Sequence, residues 1–284
     1  MKMLRWMLVV ASVLLTESFY PVFAKSKKTT MNVASFNIRL NTTKDSTDAW
    51  PYRAQMVTDL IQYHEFDVFG VQEALPEQME YLSQMTEYNH VGRGRDDGEE
   101  AGEHSAVFFR KDRFRMLDHG DFWFSETPDI PSKGWDATCC NRICSWVKLK
   151  EIASGKQFVF FCAHFDHRGK TARKKSAQMM VDRIKALDKK IPVIFVGDLN
   201  CRPDSKAYAI LTSYLKDAFV NSQSRPYGPE FTCHSFDWQR PAYQRIDYVF
   251  VNEPVEVLKY AVLTDSKDRH YPSDHFPVIA KVRF

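Results

Sequence analysis

Apolar and polar positions along the chain sketch most of its elements. Met31 to Leu40 alternates, with Val33, Ser35 and Asn37 on one face, and predicts a strand with a polar end. Arg53 to His64 carries Met56, Val57, Leu60 and Ile61 at helical spacing. Asp67 to Val71 predicts a short buried strand ending at Gln72-Glu73, and Pro76 starts a helix continued by Glu77 to Met85. Gly92 to Gly102 is rich in glycine and charge and reads as a loop. His104 to Arg110 and Phe114 to Leu117 are expected to be paired strands, followed by a loop-rich Asp121 to Asp136. Ile143 to Lys150 and Gln157 to Ala163 read as strands around a Ser154-Gly155 turn. Thr171 to Lys190 is the longest predicted helix, with Met179, Met180, Ile184 and Leu187 as its stripe. Val193 to Val196 is a buried strand running into Gly197-Asp198-Leu199-Asn200, and Ser205 to Leu215 is a helix. Arg245 to Val251 and Val278 to Phe284 close the chain as strands. No repeat, low-complexity linker or domain boundary is visible. The pattern predicts one α/β domain built as a sandwich.

Composition changes this picture mainly at the start. The 284 residues are 44% hydrophobic and 26% charged, ordinary globular values. Met1 to Arg5 is basic, and Trp6 to Leu15 is an apolar run of signal-peptide length, too short to span a bilayer comfortably. Val22 and Ala24 supply small residues at the −3 and −1 positions. Cleavage is expected after Ala24, with residues 25–30 as a linker, residues 31–284 as the domain, and export to the periplasm or medium. An uncleaved anchor is the alternative; no Cys follows the apolar run, which argues against a lipoprotein. Loss of Lys2, Arg5 and Glu17 would take the formal charge from +3 to +2. Proteins that grip long nucleic acid usually carry a clear basic excess, so a small or localised phosphate is favoured. The six cysteines lack zinc-ligand spacing, and buried free thiols with at most one bridge are expected.

The chemistry gathers at strand ends. Phe36-Asn37, Gln72-Glu73, His164-Phe165-Asp166-His167, Asp198-Leu199-Asn200 and Arg245-Ile246-Asp247-Tyr248 with Ser273-Asp274-His275 each follow or adjoin an apolar strand, where sites are usually built. Alternation places Asp198 with Asn200, and His164 with Asp166, on one face. Several acids together need a common partner, and a hard divalent cation with oxygen ligands is the natural one. Each cluster alone is commonplace as a turn, cap or surface loop; the set and its order carry the signal.

In that set the chain resembles the endonuclease/exonuclease/phosphatase superfamily. The motifs are Ser35-Phe36-Asn37, Gln72-Glu73, Gly197-Asp198-Leu199-Asn200, Arg245-Ile246-Asp247-Tyr248 and Ser273-Asp274-His275, and they run from about Met31 to Phe284. Phe122 to Pro128 and His164 to Gly169 look like a bacterial subgroup of it. The resemblance implies a four-layer α/β/β/α sandwich of two mainly antiparallel sheets flanked by helices. It implies Mg²⁺, or Mn²⁺, held chiefly by Glu73, with Asn37 in support and Asp274 beside it. Asp198 would orient or deprotonate the attacking water, and Asn200 would hold that water or the phosphate. Asp247 and His275 would face the phosphorus as a carboxylate–imidazole pair, with His164 on a phosphate oxygen. Further candidates near the substrate are Arg39, Glu103, Arg142 and Asp166; Arg39 stands where some nucleases of the superfamily have an acid. Trp123, Phe124 and Trp135 are read as packing under the long loop rather than as a stacking platform.

The function expected is an exported, metal-dependent phosphodiesterase or phosphatase, acting as a monomer on a small phosphoester or headgroup. A 3′-to-5′ exonuclease or deoxyribonuclease-like nuclease is the alternative. A sphingomyelinase would want an exposed apolar hairpin, which is not evident. A catalytically dead binding module is disfavoured by the intact set Glu73, Asp198, Asn200, Asp247 and His275.

Overall fold

Val68–Gln72 and Val193–Asp198 are buried at every position. Strands that meet protein on both faces must lie inside a layered structure. The computed structural model, which describes residues 28–284, has such layers. The signal sequence, its cleavage point and the anchor alternative lie outside the described residues.

The first half contains β1 (Thr30–Asn37), α1 (Trp50–Tyr63), β2 (Val68–Gln72), α2 (Pro76–Leu82), β3 (Tyr88–Val91), β4 (Val107–Arg110), β5 (Phe114–Trp123) and β6 (Ile143–Glu151). The second contains β7 (Gln157–His164), α3 (Lys170–Lys185), β8 (Val193–Asp198), α4 (Lys206–Thr212), β9 (Lys216–Asp217), α5 (Ala218–Asn221), β10 (Asp247–Val251), β11 (Glu256–Val262) and β12 (Val278–Arg283). One sheet runs β11-β12-β1-β2-β4-β3 and the other β5-β6-β7-β8-β10-β9. Each is antiparallel except at its centre, where β1 pairs with β2 and β7 with β8 in parallel.

Alternation in β7 shows how the layers form. Phe158, Phe160 and Cys162 face the other sheet and pack with Val33, Val68 and Val282 in one core. Val159, Phe161 and Ala163 face outward, onto Met180, Val181 and Ile184 of α3. Phe36, Phe69 and Phe108 of the first sheet meet Val57, Leu60 and Ile61 of α1 in a third core. Each buried Phe contributes roughly 1.5–3 kcal/mol. The result is the four-layer α/β/β/α sandwich, with mainly antiparallel sheets.

Four local expectations change. β4 and β5 are not partners: β4 pairs with β2 and β3, whereas β5 crosses to the other sheet and pairs with β6. Arg113 sits at the crossing and ties the sheets together, 2.7 Å from Asp67 and 2.8 Å from Glu151. β3 and β11 escaped the pattern, β3 because it is an edge strand whose Asn89 and His90 are exposed. α3 ends at Lys185 rather than Lys190, where Asp188 folds back to accept from the Lys190 amide and Pro192 follows. The domain also reaches further back than residue 31: Thr29 is buried, donates to Glu151 at 2.6 Å and exchanges backbone bonds with Phe284. All six cysteines are free thiols.

Gly70 marks a close approach of the two sheets. A Cβ there would lie 2.5 Å from Cys162 Sγ and 2.7 Å from Val196 Cγ2. Gly70→Val should therefore lower stability by about 1–3 kcal/mol, read as a shift of the urea midpoint. An unchanged midpoint would show that the sheets do not meet there.

Candidate active site

The central parallel pairs end at one edge of the sandwich. β1 ends at Asn37, opposite Gln72 of β2. β7 ends at His164, opposite Asp198 of β8, and β10 begins at Asp247 on the other side of Asp198. Register alone sets His164, Asp198 and Asp247 side by side on one face.

Glu73 follows β2 with a φ of 63°, a left-handed conformation costly for a side chain of its size. Its carboxylate accepts from Asn37 Nδ2 at 3.0 Å and from the Leu40 amide at 3.1 Å. The second Asn37 Nδ2 hydrogen goes to Asp198 at 3.0 Å. One amide thus links a carboxylate of the first sheet to one of the second. Its oxygen accepts from the Arg39 amide at 2.9 Å, so the nitrogen faces the acids.

His275 Nδ1 lies 2.9 Å from Asp247 Oδ2, and Thr232 donates to the same oxygen at 2.5 Å. Burial pulls the imidazolium down, but the charge and hydrogen bond of Asp247 outweigh it, and the His275 pKa stands well above its ordinary value. His275 is therefore charged at neutral pH. Asp198, 3.9 Å from His275 Nδ1, is pushed up to about 7 by burial and then by Asp247. His164 moves the other way, lowered by burial and then by Arg142 and Arg95, and is neutral. Its Nε2 accepts from Asn200 Nδ2 at 3.0 Å, which leaves the hydrogen on Nδ1. Asn200 is also left-handed, with its amide on Asp198 at 2.9 Å.

Asp274 is raised by burial and lies 3.8 Å from Arg39, which reaches Glu73 at 3.9 Å. Arg39 itself is left-handed and locked to Asp45 by two bonds of 2.9 and 3.0 Å. Glu103, raised by burial, pairs with Arg95 at 2.5 Å and sits 3.9 Å from His164. Asp166 stands apart from the other acids. Its Oδ1 accepts from the Arg168 and Gly169 amides and shapes the turn after β7. Trp123 and Phe124 are core residues; Trp123 Nε1 donates to the Arg95 carbonyl.

Sequence reading missed Arg53, Thr232 and Arg95. Arg53 is fully buried and donates to the carbonyls of Ile38, Arg39, Asp48 and Pro272. It therefore ties the loop after Asn37 to the loop before Asp274. Its signal was present: it falls on the apolar stripe of α1, four residues before Val57. Thr232 and Arg95 have no comparable signal, since each acts through a partner distant in sequence.

The donor set fits a divalent cation. Glu73, His164 and Asp198 present donor atoms within 4.8 Å of one another. Glu73, Asp198 and Asp274 place carboxylates in a largely buried region, offset by Arg39, His275 and the buried Arg53. Carboxylate oxygens suit Mg²⁺ or Mn²⁺.

These shifts fix a pH dependence. Asp198 binds a proton in the folded state up to about 7 but only to about 3.9 unfolded. Its contribution is complete at low pH and is lost as pH rises through 7. His275, also raised, acts in the same sense above about 6.5. His164 and His234, held neutral by burial, act in the opposite sense below about 6.5. The melting temperature of the metal-free chain relative to its Asp198→Asn variant isolates Asp198, and this difference should fall between about pH 5 and 8. Mg²⁺ should raise the melting temperature most at the upper end. A difference that climbs over this range would contradict the assignment.

Known proteins share this fold. The model of the Endonuclease/Exonuclease/phosphatase family matches residues 30–275. A crystal structure of a family protein from Bacteroides thetaiotaomicron is 39% identical, with a TM-score of 0.87, covering 91% of this chain and 99% of that one. A mannosyl-6-phosphatase from the same organism is 40% identical, with a TM-score of 0.85, covering 89% of this chain and all of that one (100%). Uncharacterized protein R895 of Acanthamoeba polyphaga mimivirus is 24% identical over 252 residues, and the match spans only 36% of its length. On its sequence, its fold and the residues gathered at its strand ends, the chain belongs to the Endonuclease/Exonuclease/phosphatase family.

Proposed function

We propose that the chain is an exported, divalent-metal-dependent hydrolase of a small phosphoester. The observation that carries this reading is the charged His275–Asp247 pair facing Asp198, whose carboxylate is held near neutrality in pKa. That combination places a fixed cation and a proton acceptor on the same small volume.

Glu73 would hold the cation, with Asp274 beside it and Asn37 in support between Glu73 and Asp198. When bound, it supplies Lewis-acid stabilisation of phosphate charge. The protein's own groups do the rest. Asp198 takes a proton from the attacking water. The water oxygen forms a bond to phosphorus while the bond to the leaving oxygen breaks. His275 offers its imidazolium to the charge that develops on the phosphate oxygens, and Asp247 and Thr232 hold the ring in place. Asn200 and neutral His164 orient water and phosphate by hydrogen bonds.

A phosphorylated sugar is the favoured substrate class, supported by the 40% identity to the mannosyl-6-phosphatase. The near-neutral formal charge of +3 also favours a small substrate over long nucleic acid. Export rests on the N-terminal leader read in the sequence. Among the described residues no helix is long and apolar enough to cross a membrane.

With Mg²⁺ the full chain should release phosphate from mannose 6-phosphate, and EDTA should abolish this. His275→Ala should lower kcat by about 10²–10⁴-fold in a chain that remains folded, as read by circular dichroism at the assay temperature. Turnover that survives EDTA, or that survives His275→Ala, would defeat the mechanism.

A further inference from the structure

The adjacent cysteines Cys139 and Cys140 take no part in the mechanism. They lie in the irregular segment between the Asp136 turn and β6. Cys139 is exposed and Cys140 half-buried, whereas Cys144, Cys162, Cys201 and Cys233 are buried. Cys144, Cys162 and Cys201 are sealed within the apolar cores, so the two outer thiols have each other as the accessible partner. Burial, and then a hydrogen bond with the Cys139 thiol, push the Cys140 thiol up to about 11. The two thiols therefore meet on one side of the chain. Arg95 and Arg142 stand near enough to draw Cys140 back toward its thiolate.

The segment is fixed at both ends and loose between them. Before it, the Asp136 carboxylate accepts from the Thr171 and Ala172 amides at the start of α3, at 3.0 and 2.6 Å. After it, Asn141 Nδ2 donates to the Arg95 carbonyl at 3.2 Å, and the Arg142 carbonyl accepts from the Phe124 amide at 2.8 Å. Among the described residues, Thr138, Cys139 and Cys140 make no backbone–backbone hydrogen bond. Their peptide groups can turn without breaking one. Arg142, two residues beyond Cys140, is buried, donates to His167 Nδ1 at 2.8 Å and lowers the proton affinity of His164. A turn at the cysteines is therefore felt at the wall of the site.

We infer that Cys139 and Cys140 are a redox-sensitive modification site, whose closure to a disulfide weakens substrate binding and whose reduction restores it. The thiol chemistry stands without the phosphoester-hydrolase reading; its effect on binding rests on that reading. The thiolate of exposed Cys139 attacks a small disulfide such as oxidised glutathione and expels one thiolate. The Cys140 thiolate then attacks Cys139 Sγ and expels the other. The pair loses two electrons and two protons; the oxidant's broken S–S bond takes the electrons, and its two thiolates take the protons. Adjacent Cα atoms are about 3.8 Å apart across a trans peptide, below the usual disulfide range of roughly 4.4–6.8 Å. The bridge is therefore strained and readily reduced, and it must turn the peptide between the two residues. That turn pulls on Asn141 and displaces Arg142. Glu73, Asp198, Asp247 and His275 stand on or beside other elements, so the effect falls on binding rather than on the chemical step.

The test equilibrates the full chain with oxidised glutathione or with dithiothreitol, then denatures, alkylates and weighs it. Of the six thiols, the oxidised chain should withhold two from the label, and a peptide map should place both at Cys139 and Cys140. With Mg²⁺ and mannose 6-phosphate, oxidation should lower kcat/KM by about 10–100-fold, chiefly through KM, the scale of a small misplacement at the wall of a site. Dithiothreitol should restore it. Cys139→Ser should match reduced wild type and ignore the oxidant, whereas Cys140→Ser should trap glutathione on Cys139. Calorimetry with inorganic phosphate, which needs no turnover, should show weaker binding to oxidised than to reduced wild type. Unchanged labelling, a bridge to any other cysteine, an oxidised wild type with unaltered KM and phosphate affinity, or an equal loss in oxidised Cys139→Ser would overturn the proposal. Absence of turnover in reduced wild type would defeat the hydrolase reading alone, and the labelling and phosphate measurements would still decide the redox site.

Discussion

The site depends on one amide. Asn37 Nδ2 has two hydrogens, one bonded to Glu73 and the other to Asp198, and these acids come from opposite sheets. Packing the sheets brings carboxylates together in a region of low dielectric, where like charges repel strongly. Asn37 sets their spacing and satisfies one oxygen of each. Its place is fixed in turn by the β1–β2 register and by Ser273, which donates to the Asn37 carbonyl at 2.6 Å. The inter-sheet core therefore positions the site as well as stabilising the fold.

The surrounding residues answer the same constraint. Arg39 and Glu73 take left-handed backbone conformations that cost of order 1–3 kcal/mol each. Those conformations turn the guanidinium and the carboxylate toward one another. Arg53 holds the loops on either side by their carbonyls, and this is what a buried arginine with four backbone acceptors does best. Burial lowers its pKa to about 10, still well above neutrality, so it stays charged. His275, Asp247 and Thr232 form a second unit, in which the ring and the hydroxyl both donate to Asp247 Oδ2.

The layered fold and the strand ends were legible in the sequence because period-two burial and short apolar runs report strands buried between layers. Glu73 and Asp198 stood out at the ends of short apolar strands, whereas Asp247, Asp274 and His275 were legible through the resemblance of their motifs, taken as a set and in order, to the superfamily. The crossing of the chain between β4 and β5 was not, since two adjacent strands in sequence look the same whether they pair or part. Thr232 was invisible for a related reason: its contact with Asp247 exists only once β10 is in place. Arg53 stood on an apolar helical stripe, where its charge was out of pattern. The neutral state of His164 and the raised pKa of Asp198 depend on burial and neighbours, which no local motif encodes.

The central claim is that the crowded carboxylates exist to hold a divalent cation. Titration of Mn²⁺ into the metal-free full chain by calorimetry, in wild type and in Glu73→Gln, tests it most directly. The account predicts saturable binding in wild type and affinity weaker by at least about tenfold in the variant, with the fold retained. Equal affinity in the two proteins, or no binding in wild type, would contradict it.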